Sequence, residues 1–125
     1  MVLVDTSVWI RSLAGREPFT RELKRLLDVD QVVSHELVYG ELLIGDFGGR
    51  KKTLASFDRI LHAATVPHMD VVAFVAVRNL QGRGIGWIDV HLLASAIVSG
   101  AKLWTADARL SAIADEFGVG HRIPN

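Results

Sequence analysis

"MVLVDTSVWI" (residues 1–10) sets three aliphatic residues, Val2 to Val4, directly before Asp5, Thr6 and Ser7, then returns to apolar Val8, Trp9 and Ile10. The triplet reads as a short buried strand, and Ser7 to about Ala14 as a helix ended by Gly15 and Pro18. Asp5 therefore stands where a first strand ends and a first helix begins. Taken alone, Asp5 or Ser7 is explained as a cap for that helix.

The same alternation runs down the chain. Thr20 can cap a helix through about Leu27, and "QVVS" at 31–34 is a second strand. Ser34 then caps a helix ended by Gly45 and by Gly48–Gly49. Lys51 to about Leu61 is helical, and "AATVP" at 63–67 is a third strand. Asp70 caps a helix to about Leu80, "QGRGIG" at 81–86 is a loop, and Ile88 to Ser99 is a strongly apolar helix stopped by Gly100. "AKLWT" at 101–105 is a fourth strand, Asp107 to Phe117 a last helix stopped by Gly118, and "GHRI" at 120–123 a short fifth strand. Short apolar strands alternating with helices imply an α/β fold, a parallel sheet covered by helices on both faces. In such folds sites form at the carboxyl ends of the strands. The glycines at 82–86 are spaced G-x-G-x-G after a helix, so they are no dinucleotide fingerprint.

The 125 residues suit one domain around one core, without a linker or an internal repeat. Charge balances at 14 basic against 14 acidic side chains, so any footprint for nucleic acid must be local. The absence of cysteine excludes a disulfide framework and thiolate zinc sites. Asp5 interrupts what would be the apolar core of a signal sequence, and no apolar run reaches the roughly 20 residues that span a bilayer. The expectation is a soluble cytoplasmic protein.

Four acids occupy matching places. Asp5 follows strand one, and Asp107, in "LWTADARL", follows strand four. Glu41, in "SHELVYGELLIG", falls between Leu37 and Val38 at about 100° per residue. That places it within a stripe expected to comprise Leu37, Val38, Leu42 and Ile44. Asp89 opens the most apolar helix and shares a face with Leu92, Leu93 and Ala96. Each has a local reading: a cap for Asp5 and Asp107, a broken stripe for Glu41, a dipole-favoured first-turn acid for Asp89. Jointly they describe one acidic pocket, whose charges repel unless a cation intervenes. Oxygen donors without thiolates suit Mg²⁺ or Mn²⁺, which polarise a phosphodiester and activate water. The hydroxyls of Thr6, Ser7 and Thr105 lie beside these acids.

At these positions the chain resembles the PIN-domain nucleases and, within them, the VapC-type toxins of prokaryotic toxin–antitoxin pairs. The matching stretches are "VLVDTSVWI", "ELVYGELLIG", "GIGWIDVHLLASAIVSGAKLWTAD" from 84 to 107 and the short tail after it. The resemblance implies a single PIN-like domain over 1–125 with a five-stranded parallel sheet. It also implies a Mg²⁺- or Mn²⁺-dependent endoribonuclease, a homodimer, and neutralisation by a small cognate antitoxin. It carries the acidic set onto Asp5, Glu41, Asp89 and Asp107, with Asp5, Asp89 and Asp107 on the metal and Thr105 as the hydroxyl of "T-x-D". Two departures stand out: Gly86 and Trp87 occupy a stretch where the family often has proline, and an additional late acid would have to be Asp115 or Glu116.

RNA would need local cations. Arg11, one turn after Ser7, and Arg83, in the glycine loop near Asp89, are the candidates, while the clusters Arg21, Lys24 and Arg25, and Arg50, Lys51 and Lys52, read mostly as solvated helix faces. His91 sits two residues after Asp89 and so faces away from it. Trp9, Trp87 and Trp104 read as core or interface residues, with no exposed aromatic platform for bases. Leu13, Phe19, Leu23 and Leu27 can form a groove for an antitoxin helix. Two other functions share parts of this pattern. One is a non-catalytic interaction domain. The other is a phosphatase-type hydrolase, which would need a second acid within two residues of Asp5 or a lysine at a strand end, and neither "DTS" nor Lys102 supplies one.

Overall fold

The computed structural model describes residues 1–45 and 50–124. The elements in chain order are β1 (Val2–Val4), α1 (Thr6–Leu13), α2 (Phe19–Asp28), β2 (Val32–Ser34), α3 (Glu36–Ile44), α4 (Arg50–Phe57), β3 (Leu61–His62), α5 (His68–Arg78), α6 (Trp87–Ser99), β4 (Lys102–Trp104) and α7 (Ala108–Glu116). The sheet is parallel, in the order β3-β2-β1-β4. Val2, Leu3 and Val4 are all buried, as a strand covered on both faces requires. Val2 and Leu3 pair with Val32 and Val33, and Val2 to Val4 pair with Lys102 to Trp104.

This order fixes where a site can form. From β1 the chain builds outward through β2 to β3, then returns to place β4 on the other side of β1. The topological switch point lies between β1 and β4, and the crevice at their carboxyl ends belongs to Asp5 and to Thr105–Asp107.

Four strands form among the described residues, where five were expected. At 120–123 only a single parallel bridge forms, Leu103 with Gly120. Leu103 N–H donates to the Val119 carbonyl at 2.6 Å, and the Leu103 carbonyl accepts from His121 N–H at 2.9 Å. Beyond that point side chains hold the tail, and Pro124 has no N–H to extend a ladder. The third strand lies at 61–62 instead of 63–67. Its register is set by Val33 and Ser34, after which only Ala63 N–H still reaches the Ser34 carbonyl, at 2.7 Å. As an edge strand it exposes Leu61, so apolar content was a poor guide to it.

Several expected caps are differently assigned. Thr20 lies inside α2 and its hydroxyl donates to the carbonyls of Ser12 and Arg16. His35, not Ser34, caps α3, with Nδ1 accepting from Leu37 N–H at 3.0 Å. Asp70 sits in the first turn of α5, behind Pro67. Gly100, at φ +66°, ends α6 as expected. Gly48 and Gly49, expected to end α3, lie outside the described residues.

Val8, Leu42, Leu92, Leu93 and Leu110 are fully enclosed in the core, and Phe57 packs its ring 5.0 Å from Trp9 and 5.9 Å from Tyr39. Trp9 and Trp104 are core residues, whereas Trp87 is 43 % exposed. No described helix is long and apolar enough to cross a membrane.

Candidate functional site

Asp5 occupies the N-cap position of α1, but its side chain does not cap the helix. The carboxylate turns across the sheet edge instead. Its Oδ2 accepts from Ser7 Oγ at 2.7 Å and from Thr105 Oγ1 at 2.8 Å. Each hydroxyl in turn accepts a backbone N–H: Ala106 to Ser7 at 3.0 Å and Asp107 to Thr105 at 3.1 Å. Asp5 N–H donates to the Trp104 carbonyl at 2.9 Å, so backbone and side chain together lock β1 to β4. Both Asp5 and Thr105 are buried. A capping role therefore explains the sequence position of Asp5 but not its side chain.

Glu41 reaches the same edge from α3. Val38 and Leu42 anchor that helix in the core, and Glu41 is half-buried beside them. Its Oε1 accepts from Thr6 Oγ1 at 2.7 Å, which ties it to the residue that follows Asp5. Ile44, expected on the inner side, is 86 % exposed, so the buried stripe of α3 is narrower than its apolar content suggests.

Asp89 and Asp107 complete the group. Asp107 does cap α7: its Oδ1 accepts from the backbone N–H groups of Arg109 and Leu110, both at 2.9 Å. Asp89, in the first turn of α6, accepts from Gly86 N–H through Oδ2 at 3.0 Å. Burial pushes the Asp89 carboxyl above its ordinary value, and the negative charges of Asp5 and Asp107 push it the same way, against the Gly86 N–H. The three aspartates, from two strand ends and a helix start, thus share one field.

In each of the four acids one oxygen is held by a protein donor, while Asp5 Oδ1, Glu41 Oε2, Asp89 Oδ1 and Asp107 Oδ2 have no hydrogen-bond donor among the described residues. Tethered carboxylates that each keep an uncommitted oxygen fit a hard divalent cation, and the chain has no thiolate to favour a softer one. Among the described residues, however, no three His, Cys, Asp or Glu side chains stand close enough to form a ready-made ligand shell.

The expected RNA-facing cations divide. Arg11 Nη1 donates to the Ser7 carbonyl at 3.1 Å and its guanidinium lies 5.8 Å above the Phe19 ring, beside the site. Arg83 is forked onto Glu116, at 2.5 and 3.2 Å, which satisfies its charge on the surface. Lys24 pairs with Asp28, and Arg25 pairs with Glu22. Asp115 likewise pairs with Arg122, so both late acids are held by arginines. His91 packs edge-on to Trp87 at 5.1 Å.

Arg109 was not singled out in the sequence. It follows Asp107 by two residues, is exposed, and lies against Gly84, where an added Cβ would stand 2.6 Å from Nη1. It forms no ion pair among the described residues. The signal was an arginine two residues behind a strand-end acid, opposite a glycine loop that precedes another acid.

The PIN-domain family profile matches residues 2–116. Ribonuclease VapC32 of Mycobacterium tuberculosis, from strain H37Rv and from strain CDC 1551 / Oshkosh, is 42 % identical over 120 residues, covering 95 % of this chain and 94 % of that one. Among solved structures, FitAcB from Neisseria gonorrhoeae superposes with a TM-score of 0.57 at 22 % identity, covering 92 % of this chain and 94 % of that one, which speaks for the fold. With a strand-end acidic cluster inside a matched segment of that length, the chain belongs to the PIN-domain family, among the VapC-type ribonucleases.

Proposed function

We propose that this protein is a divalent-metal-dependent endoribonuclease, the toxin of a toxin–antitoxin pair, acting in the cytoplasm and cutting RNA at the carboxyl edge of β1 and β4. The observation that carries the reading is the arrangement of Asp5: a buried carboxylate fixed by two hydroxyls, with its other oxygen uncommitted and two further aspartates in its field. The 42 % identity to proteins named ribonucleases supports RNA as the substrate.

Asp5, Asp89 and Asp107 would hold Mg²⁺ or Mn²⁺, directly or through water. Such an ion, when bound, offsets charge on the phosphoryl group and lowers the pKa of a coordinated water. Ser7 and Thr105 keep Asp5 turned toward the pocket rather than onto α1. Glu41, oriented by Thr6, can accept a proton from a water at the open edge. Arg11 and Arg109 flank the acids and can hold the RNA backbone, countering an entrance that is otherwise anionic. Arg83 contributes only by giving up Glu116.

For the antitoxin, a cavity of about 300 Å³ between α1, α2 and α4 is lined by Leu13, Leu23 and Leu27, as the sequence suggested, and by Trp9. The Trp9 Nε1–H is buried without a partner among the described residues. Phe19 belongs to a different cavity. A second copy of the chain is proposed to cover the exposed apolar residues of α5 and α6, Val77 and Val98 among them.

Purified protein incubated with RNA and Mn²⁺ or Mg²⁺ tests the reading. Cleavage is expected with either ion and is expected to vanish with EDTA and in Asp5→Asn. Cleavage that persists in a folded, carefully purified Asp5→Asn protein refutes it. If the pocket binds neither ion and wild type leaves RNA intact, the domain is a non-catalytic interaction module.

A further inference from the structure

We propose that a second cavity, next to the acids, is a nucleotide subsite that receives the base flanking the scissile phosphate and sets which RNA sequences are cut. The proposal rests on the ribonuclease reading and adds the recognition element to it.

The cavity measures about 550 Å³, within the range of small-ligand sites. It lies between the start of α2, the end of β4 and the tail, with Phe19, Trp104, Thr105, His121 and Arg122 on its walls. Thr105 is the wall it shares with the acidic site, because the same side chain donates to Asp5 Oδ2 at 2.8 Å. A group seated against Thr105 is therefore one side chain away from the carboxylate. No other cavity described above meets the acidic network in this way: the one between α1, α2 and α4 touches neither Thr105 nor Ala106.

The walls suit a flat heterocycle. Phe19 and Trp104 are stacked, with ring centroids 6.2 Å apart and planes 21° apart, and His121 lies 5.4 Å from Trp104. Trp104 is buried behind this layer, while Phe19 and His121 are half-buried and complete the aromatic wall. Aromatic faces bind any base, so selectivity needs a polar group. His121 supplies one. Its Nε2 contacts Glu22 Oε2 at 2.7 Å, and a carboxylate can only accept, so Nε2 carries the proton. That leaves Nδ1 as the ring nitrogen available to a base edge or a ribose hydroxyl. Glu22 is itself pinned by Arg25 at 2.6 and 3.0 Å, so the imidazole is held by a fixed partner.

The rim suits a phosphate. Arg11 lies over Phe19 at 5.8 Å, and Arg122 closes the tail side. The Arg122–Asp115 pair, at 2.9 Å, leaves the arginine side chain 79 % exposed, an ion pair that a phosphate can replace at little cost. Aromatic wall, imidazole and cations together describe a base with its phosphate.

The test is sequencing of RNA ends made from a random-sequence pool by wild type, Phe19→Leu, Phe19→Tyr and His121→Ala. Wild type is expected to prefer particular bases beside the cut. Phe19→Leu, which keeps apolar bulk but removes the ring face, should flatten that preference and raise KM about tenfold, more than it lowers kcat. Phe19→Tyr should restore both, and His121→Ala should change which base is preferred. An unchanged cut-site profile in Phe19→Leu and His121→Ala, whatever their thermal stability, overturns the subsite. The nuclease reading fails separately, if wild type cuts nothing. The cavity is then judged by titrating the four nucleoside 5′-monophosphates in EDTA. Binding that is weakened in Phe19→Leu but kept in Asp89→Asn supports the subsite, and no binding overturns it.

Discussion

Replacing Thr105 with valine keeps the shape of the side chain and removes only the hydroxyl that ties Asp5 to the backbone of Asp107. Two interactions go: the bond to Asp5 Oδ2 at 2.8 Å and the bond from Asp107 N–H at 3.1 Å. A hydrogen bond to a charged group contributes about 1.5–3 kcal/mol, and a neutral one about 1. Asp5 is 6 % exposed, so water does not replace the lost donor. Ser7 Oγ still holds the same oxygen, which keeps the total near about 3 kcal/mol. With an unfolding entropy of about 2.1 cal/mol/K per residue, a chain of 125 residues should lose roughly 10 °C in Tm. Thr105→Ser keeps the hydroxyl and loses one methyl, costing about 1 kcal/mol. Urea denaturation and thermal melts of the two variants, read side by side, check this. If valine costs no more than serine, the hydroxyl does not hold Asp5, and the account of the site fails at its base.

Asp89→Asn should change how stability responds to acid. The Asp89 carboxyl is raised in the fold, so its ionised form opposes folding: the penalty is absent below the ordinary carboxyl value and complete above the raised one. Urea midpoints between pH 7 and pH 4 should show wild type losing less stability on acidification than the Asn variant. Mg²⁺ or Mn²⁺ at a hundred times its Kd should stabilise wild type by about 2.7 kcal/mol and Asp89→Asn far less, as read by thermal shift. Glu22→Gln should destabilise by about 2 kcal/mol, because a buried acceptor of Arg25 and His121 loses its charge. The Arg25 guanidinium holds the Glu22 carboxyl below its ordinary value, so this contribution is present above that value and fades as pH falls through the lowered one. Gly84→Ala should cost about 1–2 kcal/mol at φ +84°. It should also displace Arg109, which RNA binding at varied salt would report as a shallower salt dependence.

The fold was legible where burial was two-sided. Val2–Val4, Val32–Ser34 and Lys102–Trp104 follow apolar runs, and α6 and α7 end at the glycines that were expected to end them. Legibility failed at the sheet margins, where an edge strand such as Leu61–His62 needs backbone partners more than apolar side chains. It failed also at caps, because Ser34, Thr20 and Asp70 were all plausible caps and only tertiary packing decided their partners. For the acids, sequence showed that Asp5 and Asp107 end neighbouring strands, but could not show that one turns away from its helix while the other caps its own. Arg83 and Arg109 make the same point: both sit near acids in the chain, and only the three-dimensional arrangement gives one a carboxylate and leaves the other without.

The place of β1 at the middle of the sheet bears on when the molecule can act. β1 is synthesised before β4, and Thr105, which orients Asp5, lies 100 residues further on. A growing chain can dock β1 against β2 early, but its other flank stays open until β4 arrives, a closure of large sequence separation and so a late one. Until then Asp5 has neither its threonine nor a second strand-end acid beside it. Ordering of the Asp5 carboxylate is thus tied to completion of the sheet.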